Sequence, residues 1–228
     1  MRRRFDVLDV WRTLAIVLMV AYHFLYDLYI FGVISANQLF SAPLNVLERF
    51  ICCSFILLAG ASARFSRNNL RHGLIVLGAG LVVEIGAAVA GQTIRFGVLM
   101  LLGSSMVLWH FLGKGLQRLP GWSVAAGSGV LFFAARWWTG RTAVSVPWLY
   151  PLGFISPGFY SADYFPLLPW FFLFLTGTAL GGWCLAHREN RLLTVSLPGV
   201  LTWPGRHSLI IYVLHQPVLY GISYLIWG

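Results

Sequence analysis

Residues 10–31 read VWRTLAIVLMVAYHFLYDLYIF, a run long enough to cross a bilayer that nevertheless carries Arg12, His23 and Asp27. Crossing the hydrocarbon core in helical form takes roughly 20 mainly apolar residues. Further runs of this kind lie at about 44–63, 72–91, 95–113, 122–138, 165–186 and 207–227. The 122–138 run is the weakest, being short and ending in Arg136. All are continuous and lack the alternation of barrel strands, so they read as helices. Composition agrees: 58% of residues are hydrophobic and 10% charged, where an ordinary globular chain has about a quarter charged, and the mean hydropathy is +0.76. The sequence predicts an all-α fold, a polytopic membrane helix bundle of about seven transmembrane helices. A single domain over 1–228 is expected, because no charged or Pro/Ser-rich linker separates two helical groups.

The formal charge of +9 does not point to nucleic acid, because its placement is that of a membrane protein. Counting loops from the N-terminus, one side collects Arg2, Arg3, Arg4, Arg64, Arg67, Arg71, Lys114, Arg118, Arg188, Arg191 and Arg206. The other side has little beyond Arg49, Arg95, Arg136 and Arg141. By the positive-inside rule the N-terminus is cytoplasmic, which suggests a multi-pass protein of the plasma (inner) membrane in contact with lipid. The MRRR start before an apolar run resembles a signal peptide, but the run is too long and no small-residue cleavage site follows.

Helical spacing explains the polar residues of 10–31. Positions four or eleven apart share a face, so Asp9, Arg12, Ile16, His23 and Asp27 form one stripe within roughly 60°. Ionisable groups inside a membrane are expensive and normally face the bundle interior or a water-filled path. The stripe therefore predicts an interior polar seam, with His23 about 20 Å above Asp9 at 1.5 Å per residue. A carboxylate one turn from an imidazole can fix its tautomer and raise its basicity. His23 is thus the candidate general base, with Asp27 orienting it. The same pair could instead relay protons in a transporter, or merely bridge helices.

The remaining polar groups sort by depth. Glu48, Arg49, Arg95 and Asp163 fall at the outer mouth and are candidates for holding an acceptor. Glu84 lies deep and calls for Arg95, Arg49 or a proton. The outer loop 139–164 is rich in proline, glycine and aromatics, which favours an ordered interfacial segment over disorder. The inner loop 187–206 is basic at both ends and suits a phosphate-rich ligand. His215 precedes Gln216-Pro217, where a proline frees backbone carbonyls that a side chain can satisfy. Cys52, Cys53 and Cys184 have no metal-ligand spacing and read as small packing residues. No helical His-x-x-x-His or His-x-x-Glu pattern points to a metal, and GASA and GSSM lack the nucleophile-elbow form.

Five stretches occur together in order: LDVWRTLAIVLMVAYHFLYDLYIFG (8–32), FILLAGASARFSRNNLRHG (55–73), IRFGVLMLLGSSMVL (94–108), DYFPLLPWFFLFLTGTALG (163–181) and GRHSLIIYVLHQPVL (205–219). In these the chain resembles the small bacterial members of the heparan-α-glucosaminide N-acetyltransferase catalytic-domain family, over nearly its whole length. The resemblance implies a transmembrane acetyl transfer, from acetyl-CoA on the cytoplasmic side to an acceptor sugar or glycan on the far side. It places His23 where the lysosomal members carry an asparagine, and Glu48 at an acidic position opening their next helix. Those members have a histidine in the intervening loop, whereas VISANQLFSAPLN (33–45) has none, so a heparan acceptor is not implied.

The expected function is an acetyl-CoA-dependent transmembrane acetyltransferase without a metal. Arg12, Arg67, Arg71, Arg206, His207 and His215 are the candidates for holding the donor, since arginine offers phosphate two parallel donors. The positive-inside bias alone would also place those arginines there. A homo-oligomer is compatible with the sequence, and a nucleic-acid partner is not expected. The alternatives are a proton-coupled transporter of a small polar or lipid-linked molecule and a non-catalytic membrane scaffold.

Overall fold

The computed structural model describes residues 5–142 and 144–228, so Arg2, Arg3 and Arg4 lie outside the described residues. The helices are α1 (Asp6–Ile30), α2 (Ala36–Leu39), α3 (Ala42–Phe65), α4 (Asn69–Val89), α5 (Val98–Leu116) and α6 (Gly121–Thr139), then α7 (Leu167–Ala186), α8 (Arg191–Thr194), α9 (Gly199–Arg206) and α10 (Ser208–Trp227). A 3₁₀ helix spans Pro147–Leu152. Each of the seven predicted runs is a long helix. Six of these helices are long and apolar enough to cross a membrane. Only α6 falls outside that set, its glycines, serines, tryptophans and Arg136 diluting its apolar content. Apolar side chains point outward, as Val89 at 86% and Leu225 at 85% exposure illustrate. That is the surface a lipid solvent requires. The protein is a multi-pass helical membrane protein.

The chain forms two compact units, one of the described residues up to Phe55 together with His187–Gly228, the other of Ile56–Ala186. In the first, α1 is central and packs on α9 and α10. Leu8, Ala15, Ile16, Met19 and Leu39 form its buried apolar side. The α1–α9 junction is tight because Gly205 has no side chain: a Cβ there would collide with the Asp9 carbonyl oxygen. The Gly205 N–H donates to Thr13 Oγ1 at 2.9 Å, and that hydroxyl donates on to the Asp9 carbonyl at 3.1 Å. Trp11 Nε1 donates to Ser54 Oγ on α3 at 3.1 Å.

In the second unit small residues bring backbones into contact. A Cβ on Gly60 would strike the Phe174 carbonyl, and one on Gly177 the Leu57 carbonyl. This is the close approach by which membrane helices gain packing that lipid cannot supply. Gly177→Ala should destabilise by about 1–3 kcal/mol, towards the upper end because the obstacle is backbone. Thermal unfolding of the detergent-purified variant checks this.

The same unit orders the outer loop. Ala162 N–H donates to the Thr93 carbonyl at 2.9 Å and Phe165 N–H to the Phe96 carbonyl at 3.0 Å. Tyr164 Oη donates to the Tyr150 carbonyl at 2.6 Å, and the Phe159 ring lies against both tyrosines. Burial, with Tyr150 adding, pushes the Tyr164 phenol up to about 12, so it remains a donor at neutral pH. The aromatics predicted to order this loop do so by packing on one another.

Candidate active site

His23, two-thirds of the way along α1, meets His215 of α10. Their ring centroids are 4.8 Å apart and the planes cross at 71°. His215 Nδ1 lies 2.6 Å from the Tyr212 carbonyl oxygen. A carbonyl only accepts, so Nδ1 carries the hydrogen and Nε2 presents its lone pair. That Nε2 is buried and has no hydrogen-bond partner among the described residues. A buried nitrogen left unpaired is costly, and such a group asks for a water or a ligand. His215 was expected near the donor, but its nearest titratable neighbour is the expected base.

Asp27 is fully buried, yet it does not orient His23. Its Oδ1 accepts from Gln216 Nε2 at 2.7 Å, and its Oδ2 has no partner among the described residues. One helical turn brings Asp27 to the correct face, but the facing helix offers an amide closer to it than the imidazole on its own helix. The carboxylate therefore ties α1 to α10 at the residue next to His215. Gln216 Oε1 and Ser223 Oγ are likewise buried without partners, so unsatisfied polar atoms concentrate along the α1–α10 contact. Tyr22 packs its ring 6.2 Å from that of His23, and Glu48 and Cys52 of α3 lie within electrostatic reach of Tyr22. Glu48 is half-buried, whereas Arg49 is exposed.

The donor candidates divide. At the start of α1, Asp9 takes Arg12 Nη1 on Oδ1 at 2.9 Å and Arg206 Nε on Oδ2 at 3.2 Å, while Asp6 takes Arg206 Nη2 at 2.9 Å. Arg12 also reaches the Gly205 carbonyl at 3.4 Å. Two carboxylates balance two guanidiniums, so this cluster pins α9 to α1 and has little charge left for phosphate. The hydrogen bond to Asp9, with Asp6 adding, pushes Arg206 above its ordinary range. His207 donates Nδ1–H to the Trp203 carbonyl at 2.8 Å and lies over the Trp203 ring. In the second unit Arg67 and Arg71 are exposed at the start of α4, and neither is in an ion pair among the described residues.

The outer-mouth candidates of the second unit have local duties. Asp163 Oδ2 accepts the Val98 N–H at 3.1 Å and Glu84 Oε1 the Gly97 N–H at 3.2 Å. Both carboxylates thus cap the N-terminus of α5, where free N–H groups and the helix dipole favour negative charge. Glu84 needs neither Arg95 nor Arg49 for this. Arg95 is exposed, with its guanidinium over the Phe159 ring at 5.9 Å.

A family model described as heparan-alpha-glucosaminide N-acetyltransferase, catalytic, matches residues 4–217. The chain belongs to that family. Comparison with curated proteins gives no match, and neither does comparison with solved structures. The matched span contains every candidate from Arg12 to His215, including both histidines of the pair. Membership in this N-acetyltransferase family supports an acetyltransferase, here one set in a multi-pass membrane protein.

What the sequence did not indicate is the pairing itself. Tyr212, His215 and Gln216 stand at positions i, i+3 and i+4, one face of α10. That face was legible. Its partner helix was not.

Proposed function

We propose that the protein moves an acetyl group from cytoplasmic acetyl-CoA to an amine or hydroxyl of a sugar or glycan at the outer face of the plasma (inner) membrane. The single observation that carries this reading is the lone pair of His215 Nε2, buried, unpartnered and beside His23. The acceptor nitrogen or oxygen attacks the thioester carbonyl carbon. Its proton goes to the imidazole pair, the C–S bond breaks, and the CoA thiolate leaves and takes up a proton. Tyr212 holds the tautomer that can accept, while Asp27, through Gln216, holds α10 in register. His23 shares the base role. Without a covalent step, the pair needs only to lie within hydrogen-bond reach of the acceptor in the ternary complex.

Arg67 and Arg71, exposed in the second unit, remain candidates for CoA phosphates. Arg12 and Arg206 are committed to Asp6 and Asp9, and His207 flanks them. Glu48 and Arg49 remain candidates for the acceptor, as do Arg95 and Asp163. The N-terminus is cytoplasmic in this reading.

Thermal unfolding of the purified protein with acetyl-CoA, CoA and ATP tests it. A ligand that binds only the folded state stabilises by about 2.7 kcal/mol at a hundred times its dissociation constant. Acetyl-CoA and CoA should raise the unfolding temperature saturably and ATP should not. No shift with millimolar acetyl-CoA in a folded preparation would contradict the reading and favour a transporter.

A further inference from the structure

The second unit contains a cavity of about 780 Å³. It is lined where four helices end or begin: Arg64 near the close of α3, Gln117 just past α5, Trp122 near the start of α6 and Trp183 near the close of α7, with Trp109 deeper. The volume is within the ~300–1,000 Å³ of ordinary ligand sites. None of its lining residues is an aspartate or a glutamate. The two threonines on its wall spend their hydroxyls on their own helix, Thr178 on the Leu175 carbonyl at 2.8 Å and Thr176 on the Phe172 carbonyl at 3.2 Å. Arg64 and Gln117 are the polar side chains that remain beside the indole N–H groups of the tryptophans, and Arg64 is the one cation of the lining.

Arg64 is half-buried and takes part in none of the ion pairs among the described residues. Gly181 and Gly182 clear the space it occupies: a Cβ on Gly181 would come within 2.9 Å of its Cβ, and one on Gly182 within 3.4 Å of its Nε. A guanidinium kept among tryptophans at the end of membrane helices, without a carboxylate, lacks a counter-ion. Tryptophan and arginine in this position mark the level of lipid headgroups.

We infer that the cavity binds an anionic phospholipid, the phosphate on Arg64 and an acyl chain along the tryptophan wall. One cation matches one phosphodiester, and the remaining wall matches hydrocarbon. A CoA, with several phosphates and an adenine, would leave most of its polar groups unpaired here. By the positive-inside placement this is the cytoplasmic end, whose leaflet carries anionic lipid. The inference is independent of the acetyl-transfer reading.

The test is native mass spectrometry of the full chain released from micelles containing equimolar phosphatidylglycerol and phosphatidylcholine. Wild type should retain phosphatidylglycerol at least five-fold over phosphatidylcholine, roughly a 1 kcal/mol preference. Arg64→Gln should bring that ratio close to one and Arg64→Lys should keep part of it. Arg191→Gln, which removes an exposed arginine elsewhere, should leave it unchanged. Trp122→Ala, which trims an exposed side chain from the rim, should lower retention of both lipids and stands in if Arg64→Gln fails to fold. Equal retention by wild type, a loss matched by Arg191→Gln, or displacement of the lipid by CoA would overturn the inference.

Discussion

Replacing His215 with alanine is expected to lower acetyl transfer by about 10²–10⁴-fold, the range over which a positioned acid–base group acts. The state of His215 Nε2 follows from a neighbour, because the Tyr212 carbonyl requires the hydrogen on Nδ1. His23→Ala should produce a loss of similar size, since its ring lies 4.8 Å from that of His215. The double variant should fall little below either single one, as groups acting together are strongly non-additive. Acetyl-CoA binding, read by thermal shift, should survive in all three. A large loss of donor binding in His215→Ala would return that residue to the donor site, where its sequence position first suggested it. Steady-state release of CoA measures the rates.

Asp9→Asn should destabilise the first unit by about 3 kcal/mol, the lower end of what breaking a buried ion pair costs. The Asp9 side chain is 12% exposed and that of Arg12 16%, so water cannot replace the lost charge between them. Arg206 is 34% exposed and keeps its bond to Asp6, which places the effect at that lower end. Thermal unfolding should show the loss, and acetyl-CoA affinity should be unchanged if the cluster serves to hold α9 on α1. A tighter affinity in Asp9→Asn would mean that its arginines had been released for phosphate.

The helices were legible because lipid imposes continuous apolar runs, and the runs differ from the observed elements only at their ends. The first predicted run begins at 10 because hydropathy falls at Asp9 and Asp6, yet α1 starts at Asp6. Those aspartates suit a helix N-terminus and find Arg206, which no hydropathy profile contains. The polar stripe on α1 was also legible, since a period of 3.6 places His23 and Asp27 together. Their partners were not. Asp27 meets Gln216 and His23 meets His215 because α1 and α10, at opposite ends of the sequence, pack together. The glycine contacts are hidden for the same reason: nothing near Gly177 in sequence announces that Leu57 faces it. Asp163 and Glu84 show the same limit. Glu84 invited an arginine or a proton and Asp163 an acceptor, and the N–H groups opening α5 that both carboxylates accept from stand 13 and 65 residues away.

Acceptor-dependent release of CoA from acetyl-CoA, measured in proteoliposomes with a panel of amino sugars and glycans as acceptors, decides between acetyl transfer and transport. Release should require both donor and acceptor in wild type and should fall to background in His215→Ala. Release equal in wild type and His215→Ala, or acetyl-CoA consumption by neither alongside proton-coupled flux of a solute, would contradict it.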